Sequence, residues 1–358
     1  MKILMIIKKL HYSGAPKMFL WVAKSLASLG SDVTILTYKD YTFDEIPENV
    51  KVVRLNLESA SFFKRVREIR KRIKEIQPDC SISFLLDSNI LNVLACLGLK
   101  TKSVICERND PFKPKYYKLK FARPLFRMAN GAVFQLPKVA HFYKCIKAPT
   151  AVIPNPVMVS DDEIQIDEFE KRMNVVVTVG RIDTVQKRHD ILIRAFCLFS
   201  KIHPEYILHI YGDGHDPKDE IRIRDLIHEL SLDEKVCLMG VTPHPKTAIK
   251  NAKFFVLTSD FEGIPNSLLE AMSIGLPCIS TDCRPGGAAY LIQNGINGLL
   301  AECGNEKQIA EQMCRLAENP NDAENMGLEA RKIVETYSEK KIAVLWMNYL
   351  KDLCNVSN

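Results

Sequence analysis

Several absences narrow this sequence before anything in it is read. The eleven cysteines are an odd number, scattered, and include no Cys-x-x-Cys pair. That argues against a disulfide framework and against a structural zinc site, and it fits a reducing compartment. No apolar run approaches the roughly 20 residues needed to span a bilayer. The apolar opening Met1–Ile7 is short and runs straight into Lys8 and Lys9, so it reads as a first buried strand rather than a signal peptide. There is no Asp-x-Asp pair to hold a divalent metal, and Asp161-Asp162 and Asp216–Asp219 read as solvated loop acids. The Asn355-Val-Ser357 sequon carries no weight at the tail of a chain expected in the cytoplasm.

What is present is ample for two domains: 358 residues, 47% of them apolar and 26% charged. The net charge of +6 conceals a division. Residues 1–155 carry 27 Lys and Arg against 12 Asp and Glu, a net +15, whereas the remainder carries 22 against 31, a net −9. A basic half implies an anionic partner: a membrane surface, a phosphorylated acceptor or nucleic acid. Nucleic acid is the bland reading of the charge, but no motif for reading bases is present and the acidic half opposes it.

Apolar runs alternate with amphipathic ones. In the first half, strands are expected at Lys2–Ile7, Asp32–Tyr38, Val50–Leu55, Cys80–Leu85 and Ser103–Cys106, with helices at Lys17–Leu29, Phe62–Ile76 and Asn89–Gly98. Ile153-Pro154-Asn155-Pro156-Val157 reads as a stiff linker, followed by the acidic run Asp161–Glu170. Alternation then restarts, with strands at Asn174–Val179, Tyr206–Tyr211, Lys235–Met239, Phe254–Thr258 and Leu276–Ser280. Helices are expected at His189–His203, Asp219–Leu230 and Pro245–Asn251, and Glu329–Cys354 reads as one helical stretch. Repeated βα units predict an α/β fold of two Rossmann-like domains with parallel sheets, facing a deep cleft. The expected division is 1–155, 156–335 and a terminal helix at 336–358 that crosses back to the first domain.

Two stretches carry chemistry. In Ser259–Gly275, Glu262 lies in a Gly/Pro turn after a strand, and Glu270 lies inside the helix that starts near Asn266-Ser267. A carboxylate turn and a helix start at strand ends describe a ligand crevice. In Gly180–His189, Arg181 and Lys187 leave a strand end together. Arg181 can grip a phosphate bidentately and Lys187 can act as a point charge. The unpaired amides and dipole of the helix near Asn266 favour the same anion. By spacing alone, the two cations are equally a solvated loop pair, and the two glutamates a turn and a helix-surface residue.

Taken together with Gly263, Pro265, Gly275 and Pro277, the pattern resembles the retaining nucleotide-sugar glycosyltransferases of family 4, which have the B-type glycosyltransferase fold, and the resemblance covers nearly the whole chain. Gly180-Arg181 and Lys187 resemble that family's diphosphate clamp, Tyr211-Gly212-Asp213-Gly214 its glycine turn, and Glu262 to Glu270 its E-x7-E motif. Asn294-Gly295-Ile296-Asn297-Gly298-Leu299-Leu300 resembles its closing stretch, and Ile153-Pro154-Asn155-Pro156 its linker. In the first half Ser13-Gly14-Ala15 stands where the family has a glycine loop, and Glu107-Arg108-Asn109-Asp110-Pro111 resembles a segment of members that build bacterial surface polysaccharides. Departures are Pro16 in place of the family's Glu, one extra residue between Arg181 and Lys187, and Ala288-Ala289-Tyr290 where a Glu is usual.

The resemblance implies retaining, metal-independent transfer of a sugar from a nucleotide-sugar donor, a UDP-sugar by preference, with no cofactor. It assigns Glu262, Arg181 and Lys187 to catalysis. Ser13, Gly14, Gly180, Gly212, Gly263, Asn266, Ser267, Leu268 and Glu270 go to donor binding, and Glu107 and Arg108 to the acceptor side. The implied acceptor is a glycan or a polyprenyl-diphosphate-linked glycan. The basic half then suits an anionic membrane surface. Seven cations surround Phe62, Val66, Ile69 and Ile73 in residues 62–74. Lys113, Lys115, Lys118, Lys120, Arg123 and Arg127 interleave with Phe112, Tyr116, Tyr117, Phe121 and Phe126. The expected location is cytoplasmic, peripheral on the inner membrane face. A nucleotide-sugar epimerase or phosphorylase of the same fold, or a silent nucleotide-sugar-binding scaffold, are the competing readings.

Overall fold

The structure is a computed structural model and describes residues 1–10, 14–39, 48–108, 110–111, 122, 124–158, 167–214 and 216–355. The chain divides into two compact units, Met1–Asn155 with the residues from Lys340 onward, and Pro156–Glu339.

The first unit is built on seven parallel strands: β1 (Lys2–Ile7), β2 (Asp32–Thr37), β3 (Val50–Arg54), β4 (Cys80–Phe84), β5 (Lys102–Glu107), β6 (Gly131–Phe134) and β7 (Thr150–Val152). Their spatial order is β3-β2-β1-β4-β5-β6-β7. β1, β4 and β5 are buried along almost their whole length. That is why they read as continuous apolar runs rather than alternating ones. β6 and β7, only four and three residues long, are too short for their periodicity to be read from the sequence.

The basic segment forms a helix over Phe62–Ile76. Ser61 caps its start by accepting from the Lys64 amide, and Gln77, at φ 51°, closes it with a bond to the Ile73 carbonyl. Ile69 and Ile73 form the buried face and Val66 packs against it. Phe62 does not belong to that face: Phe62 and Phe63 stand in solvent at 42% and 82% exposure. Arg70 is drawn inward, donating to the carbonyls of Ala95 and Leu97 at 2.9 and 2.6 Å, where it satisfies the end of a neighbouring helix. Phe126, expected among the interleaved surface aromatics, is fully buried and packs on Tyr143. The cations and aromatics at 112–121 and 123 lie outside the described residues.

The second unit holds β8 (Met173–Val179), β9 (Ile207–Tyr211), β10 (Val236–Gly240), β11 (Ala252–Leu257), β12 (Cys278–Thr281) and β13 (Leu299–Ala301). Their order is β10-β9-β8-β11-β12-β13 and every pair is parallel. The strand order reverses between β8 and β11, which pair through Phe254 with Val176 and Phe255 with Val177. The carboxyl ends of the strands at such a reversal are where a doubly wound sheet holds ligands.

Glu329–Cys354 is not one helix. Helices run over Pro320–Arg331, Ile333–Thr336 and Glu339–Cys354. The break has a cause: the Tyr337 carbonyl accepts from the Val157 amide at 2.8 Å, and Ser338 bridges to Val157, so those residues are held out of helical geometry. The last helix packs on the first unit. It buries Ile342, Trp346 and Leu350, one turn apart along one face, with Trp346 stacked on Phe84 at 6.3 Å. Gly131 makes room for it, since a Cβ there would lie 2.3 Å from the Tyr349 hydroxyl.

Candidate functional site

The site is assembled by the two loops at the strand reversal of the second unit. In the loop after β8, Gly180 donates its amide to the Tyr211 carbonyl at 2.9 Å. Gly212, at φ +145°, lies so close that a Cβ on it would sit 2.0 Å from the Gly180 carbonyl oxygen. Only glycine permits that approach. Gly180 in turn lies under the Lys187 side chain, whose Cε is 3.1 Å from where a Cβ would stand.

Asp183 organises the rest of this loop. Its Oδ1 accepts from the amides of Val185 and Gln186 at 2.6 and 2.5 Å, and its Oδ2 accepts from Arg181 Nη2 at 2.8 Å. Burial works against the charge on Asp183, but the two amides and Arg181 outweigh it and hold the carboxyl below its usual range. Beneath it His189, the first residue of the helix His189–Ser200, is fully enclosed, with Nδ1 3.3 Å from the Asp183 amide. Burial pushes its imidazole down to about 4, so it is neutral at physiological pH.

The loop after β11 is tied to the first one. The Thr258 hydroxyl donates to the carbonyls of Lys187 and Arg188 at 2.9 and 3.0 Å. The Asp260 amide donates to the Gln186 carbonyl at 2.8 Å, and Arg188 pairs with Asp260 at 2.8 Å. These contacts bring Lys187 Nζ to 2.6 Å from Glu262 Oε1, with the two side chains 15% and 12% exposed. The same carboxylate oxygen accepts from Gln186 Nε2 and from the Ser259 hydroxyl, both at 3.3 Å. Gln186 also accepts from Arg181 at 3.2 Å through its side-chain oxygen, and so links the exposed cation to the carboxylate. The backbone at Glu262 is fixed by its N–H, which donates to the Arg284 carbonyl at 2.8 Å. Gly263 lies under Gly287, where a Cβ would fall 1.4 Å from the Gly263 carbonyl oxygen.

The helix Asn266–Ser273 follows directly. Its first closed backbone bond runs from Leu269 to Pro265 at 3.1 Å, so the amides of the residues before Leu269 point out of the helix end. Asn266 and Glu270 lie one turn apart on one face, and both are half-buried. Leu268 has its side chain fully buried in the core, and its backbone lies at the helix end. The side chains of Asn294 and Asn297 are committed to a turn before β13, accepting from the amides of Leu300 and Gln293 at 2.9 and 2.7 Å.

Other expectations are redistributed. Asp216–Asp219 are not loop acids: Asp216 caps the helix Pro217–Glu229 by accepting from the Lys218 amide, and Asp219 in its first turn accepts from Thr184 at 2.8 Å. In the first unit, Gly14 opens the helix Gly14–Ser28, and Ser13 lies outside the described residues. Glu107 and Arg108 are there too, nearly buried. The Arg108 guanidinium lies 4.3 Å from the centre of the Phe84 ring and donates to Asn155 Oδ1 at 3.0 Å. Burial lowers it to about 10. Asn155, in the linker, also accepts from Gln135 at 2.6 Å.

Sequence reasoning missed Gln186, Asp183 and Ser259. The signal available was the extra residue between Arg181 and Lys187, in the loop that Asp183 organises.

The sequence and fold are similar to those of known proteins. Residues 159–333 match the model of the group 1 glycosyl transferases. Along its length the chain is 27% identical to a Campylobacter jejuni α-1,4-N-acetyl-D-galactosaminyltransferase that acts on an undecaprenyl-diphosphate-linked glycan, over 99% of both chains. It is 37% identical to a Salmonella typhimurium lipopolysaccharide 1,6-galactosyltransferase over 42% of this chain and 41% of that one. In structure it matches a lipopolysaccharide outer core galactosyltransferase at TM-score 0.78 and 22% identity, over 98% of this chain and 99% of that one. It also matches the Anabaena protein HepE in complex with UDP, at TM-score 0.82 and 18% identity, over 98% and 100%.

Proposed function

We propose, on the premise that this chain is a family 4-like glycosyltransferase of the B-type fold, that it transfers a hexose-type sugar with retention from a UDP-sugar to a lipid-linked or surface glycan. The observation that carries the reading is the convergence of Arg181, Lys187 and Glu262 at the strand reversal, beside the amino end of the helix Asn266–Ser273. Two cations and a row of outward amides suit a diphosphate, and a carboxylate beside them suits the sugar it carries.

In this mechanism the acceptor hydroxyl attacks the anomeric carbon from the face that the nucleotide leaves. The bond from the anomeric carbon to the diphosphate oxygen breaks as the new glycosidic bond forms, and the departing oxygen takes the acceptor proton. Arg181, Lys187 and the helix amides stabilise the growing negative charge on the leaving group. Their charge makes a metal unnecessary. Glu262 orients the donor sugar, and Glu270 accepts from the ribose hydroxyls. The Lys187–Glu262 pair is then the resting arrangement, with which the diphosphate competes for the lysine.

The relatives support the acceptor class: the Campylobacter enzyme acts on an undecaprenyl-diphosphate-linked glycan. No helix of the described residues is long and apolar enough to cross a membrane. Access to a lipid-linked acceptor would come from peripheral docking through the exposed Phe62 and Phe63 and the cations beside them, at the cytoplasmic face.

Thermal-shift measurement with UDP, GDP, ADP and their sugar conjugates tests the donor assignment. A ligand at a hundred times its Kd adds about 2.7 kcal/mol of stability. A shift with the uridine compounds that Lys187→Ala removes supports the reading; no shift with any nucleotide overturns it.

A further inference from the structure

At the far end of the helix that begins with His189, a second cluster is unrelated to the donor loops. We propose that His203, Cys314 and Glu318 form a binding site for a thiophilic divalent cation, with Zn2+ as the ion best matched to the donor set.

The three ligand atoms all lie within 4.8 Å of one another. Cys314 and Glu318 are one turn apart on the helix Glu306–Glu318, so both side chains leave the same face. His203 sits just beyond the end of the helix His189–Ser200, its amide still bonded to the Phe199 carbonyl at 3.0 Å. Its ring is fixed between Phe199 and Tyr206, with centroids 5.0 and 6.0 Å away. His203 Nε2 is buried without a hydrogen bond and lies 3.4 Å from Glu318 Oε1. A polar atom in that state asks for a partner.

The other ring nitrogen faces a second carboxylate, with Nδ1 3.6 Å from Glu205 Oε1. A proton on Nδ1 directed at Glu205 leaves the Nε2 lone pair turned toward Cys314 and Glu318. A metal-binding histidine uses this arrangement, with a carboxylate behind it fixing the tautomer.

Ligands bonded to a tetrahedral zinc ion at about 2.0–2.3 Å stand roughly 3.3–3.8 Å apart. The His203–Glu318 pair already has that separation, and the Cys314 thiol lies within 4.8 Å of both. Nitrogen, thiolate and carboxylate supply three positions, and water fills the fourth. Coordination releases the thiol proton to solvent. Glu318 is 56% exposed, which gives the ion a path in. The competing arrangement is a protonated His203 shared between Glu205 and Glu318, which has no use for the thiol.

The position sets the consequence. The helix His189–Ser200 has 12 residues and spans about 18 Å, so the cation would sit that far from Lys187 and Glu262. It would take no part in transfer. It would clamp the end of one helix to another across the second unit's core and raise that unit's stability.

Titration of the reduced full-length protein with Co2+ decides the matter, because a Co2+–thiolate bond adds a charge-transfer absorption that carboxylate and imidazole do not. The expected result is one equivalent of Co2+ bound with that absorption, displaced by Zn2+. Cys314→Ser should abolish the band, and His203→Ala should weaken binding at least about tenfold. Zn2+ should raise the melting temperature of the wild type and not of Cys314→Ser. Absence of the band, or a band and a Zn2+ shift that survive in Cys314→Ser, overturns the proposal. Nucleotide binding by the variants checks that they remain folded.

Discussion

Lys187 Nζ lies 2.6 Å from Glu262 Oε1 although 74 residues separate them in the chain. The pair exists because β8 and β11 are neighbours at the reversal of strand order, and because Thr258 and Asp260 bind the backbone of residues 186–188. Under the proposed reading the two residues do different work, and their variants should separate. Lys187→Ala should weaken nucleoside diphosphate binding about 10- to 100-fold, the worth of a charge-assisted hydrogen bond. Glu262→Ala should lower turnover by about 100-fold or more while the nucleotide still binds. Calorimetry with the nucleotide, alongside initial rates, checks both; near-normal turnover in Glu262→Ala refutes its role.

Gln186 joins the two halves of the site, donating to Glu262 and accepting from Arg181. It is a positioning residue, since it holds the groups assigned to the donor rather than the donor itself. Gln186→Ala should lower kcat about tenfold, near 1.4 kcal/mol, with KM for the donor changed little. A rise in KM at constant kcat would mean that Gln186 contacts the donor directly.

His189 supplies a pH dependence with a definite sign. Its imidazole falls to about 4 in the fold, against roughly 6.5 in an unfolded chain. As pH falls, the unfolded state takes up the proton first, so this stability is fully present above pH 6.5 and is lost progressively toward pH 4. Between pH 7.5 and pH 5 the loss is about 2 kcal/mol. Urea denaturation of the wild type and His189→Gln at both pH values measures it. The gap between the two proteins should shrink by that amount at pH 5, and an unchanged gap removes His189 as the cause.

The fold was legible wherever burial on both faces left an uninterrupted apolar run, as in Val175–Val177 and Phe254–Val256. Short edge strands such as Thr150–Val152 were not, since three residues carry no period. Of the candidate site, the charged residues were legible because cations and carboxylates grouped at strand ends stand out in a sequence. Gln186 was not, because a neutral amide in a loop announces nothing until its partners are in place. The Glu329–Cys354 stretch was misread for a similar reason: the break at Tyr337 is caused by Val157, some 180 residues earlier, and long-range bonds leave no local trace. Phe62 was grouped with Val66, Ile69 and Ile73 on helical spacing alone, and spacing does not say where a neighbouring element ends.

The turn that presents Glu262 depends on a glycine far from it in sequence. A Cβ on Gly287 would fall 1.4 Å from the Gly263 carbonyl oxygen and 3.2 Å from that of Glu262. These neighbours are all backbone atoms of one segment, so nothing there can yield cheaply. Gly287→Ala should therefore destabilise the second unit by about 3 kcal/mol or more, or displace the Glu262 turn and abolish turnover. A melting temperature and rate both equal to wild type would show that the two segments are less closely packed than described.

Phe63 is 82% exposed at the start of the basic helix, with Phe62 edge-to-face against it at 5.8 Å. Lys64, Arg67, Lys71 and Lys74 are also exposed. Neither aromatic ring contributes to the core formed by Ile69 and Ile73, so replacing them should leave the fold intact. If the rings and cations dock on lipid, each cation near an anionic surface contributes about 1 kcal/mol, and that share is screened by salt. The protein should then float with vesicles containing phosphatidylglycerol and not with neutral ones. Phe62→Ala/Phe63→Ala should weaken flotation at every salt concentration, whereas Arg67→Glu/Lys71→Glu should abolish it at low salt. Equal flotation with neutral vesicles, or none with either, sinks membrane docking through this helix and leaves the lipid-linked acceptor to be reached by another route.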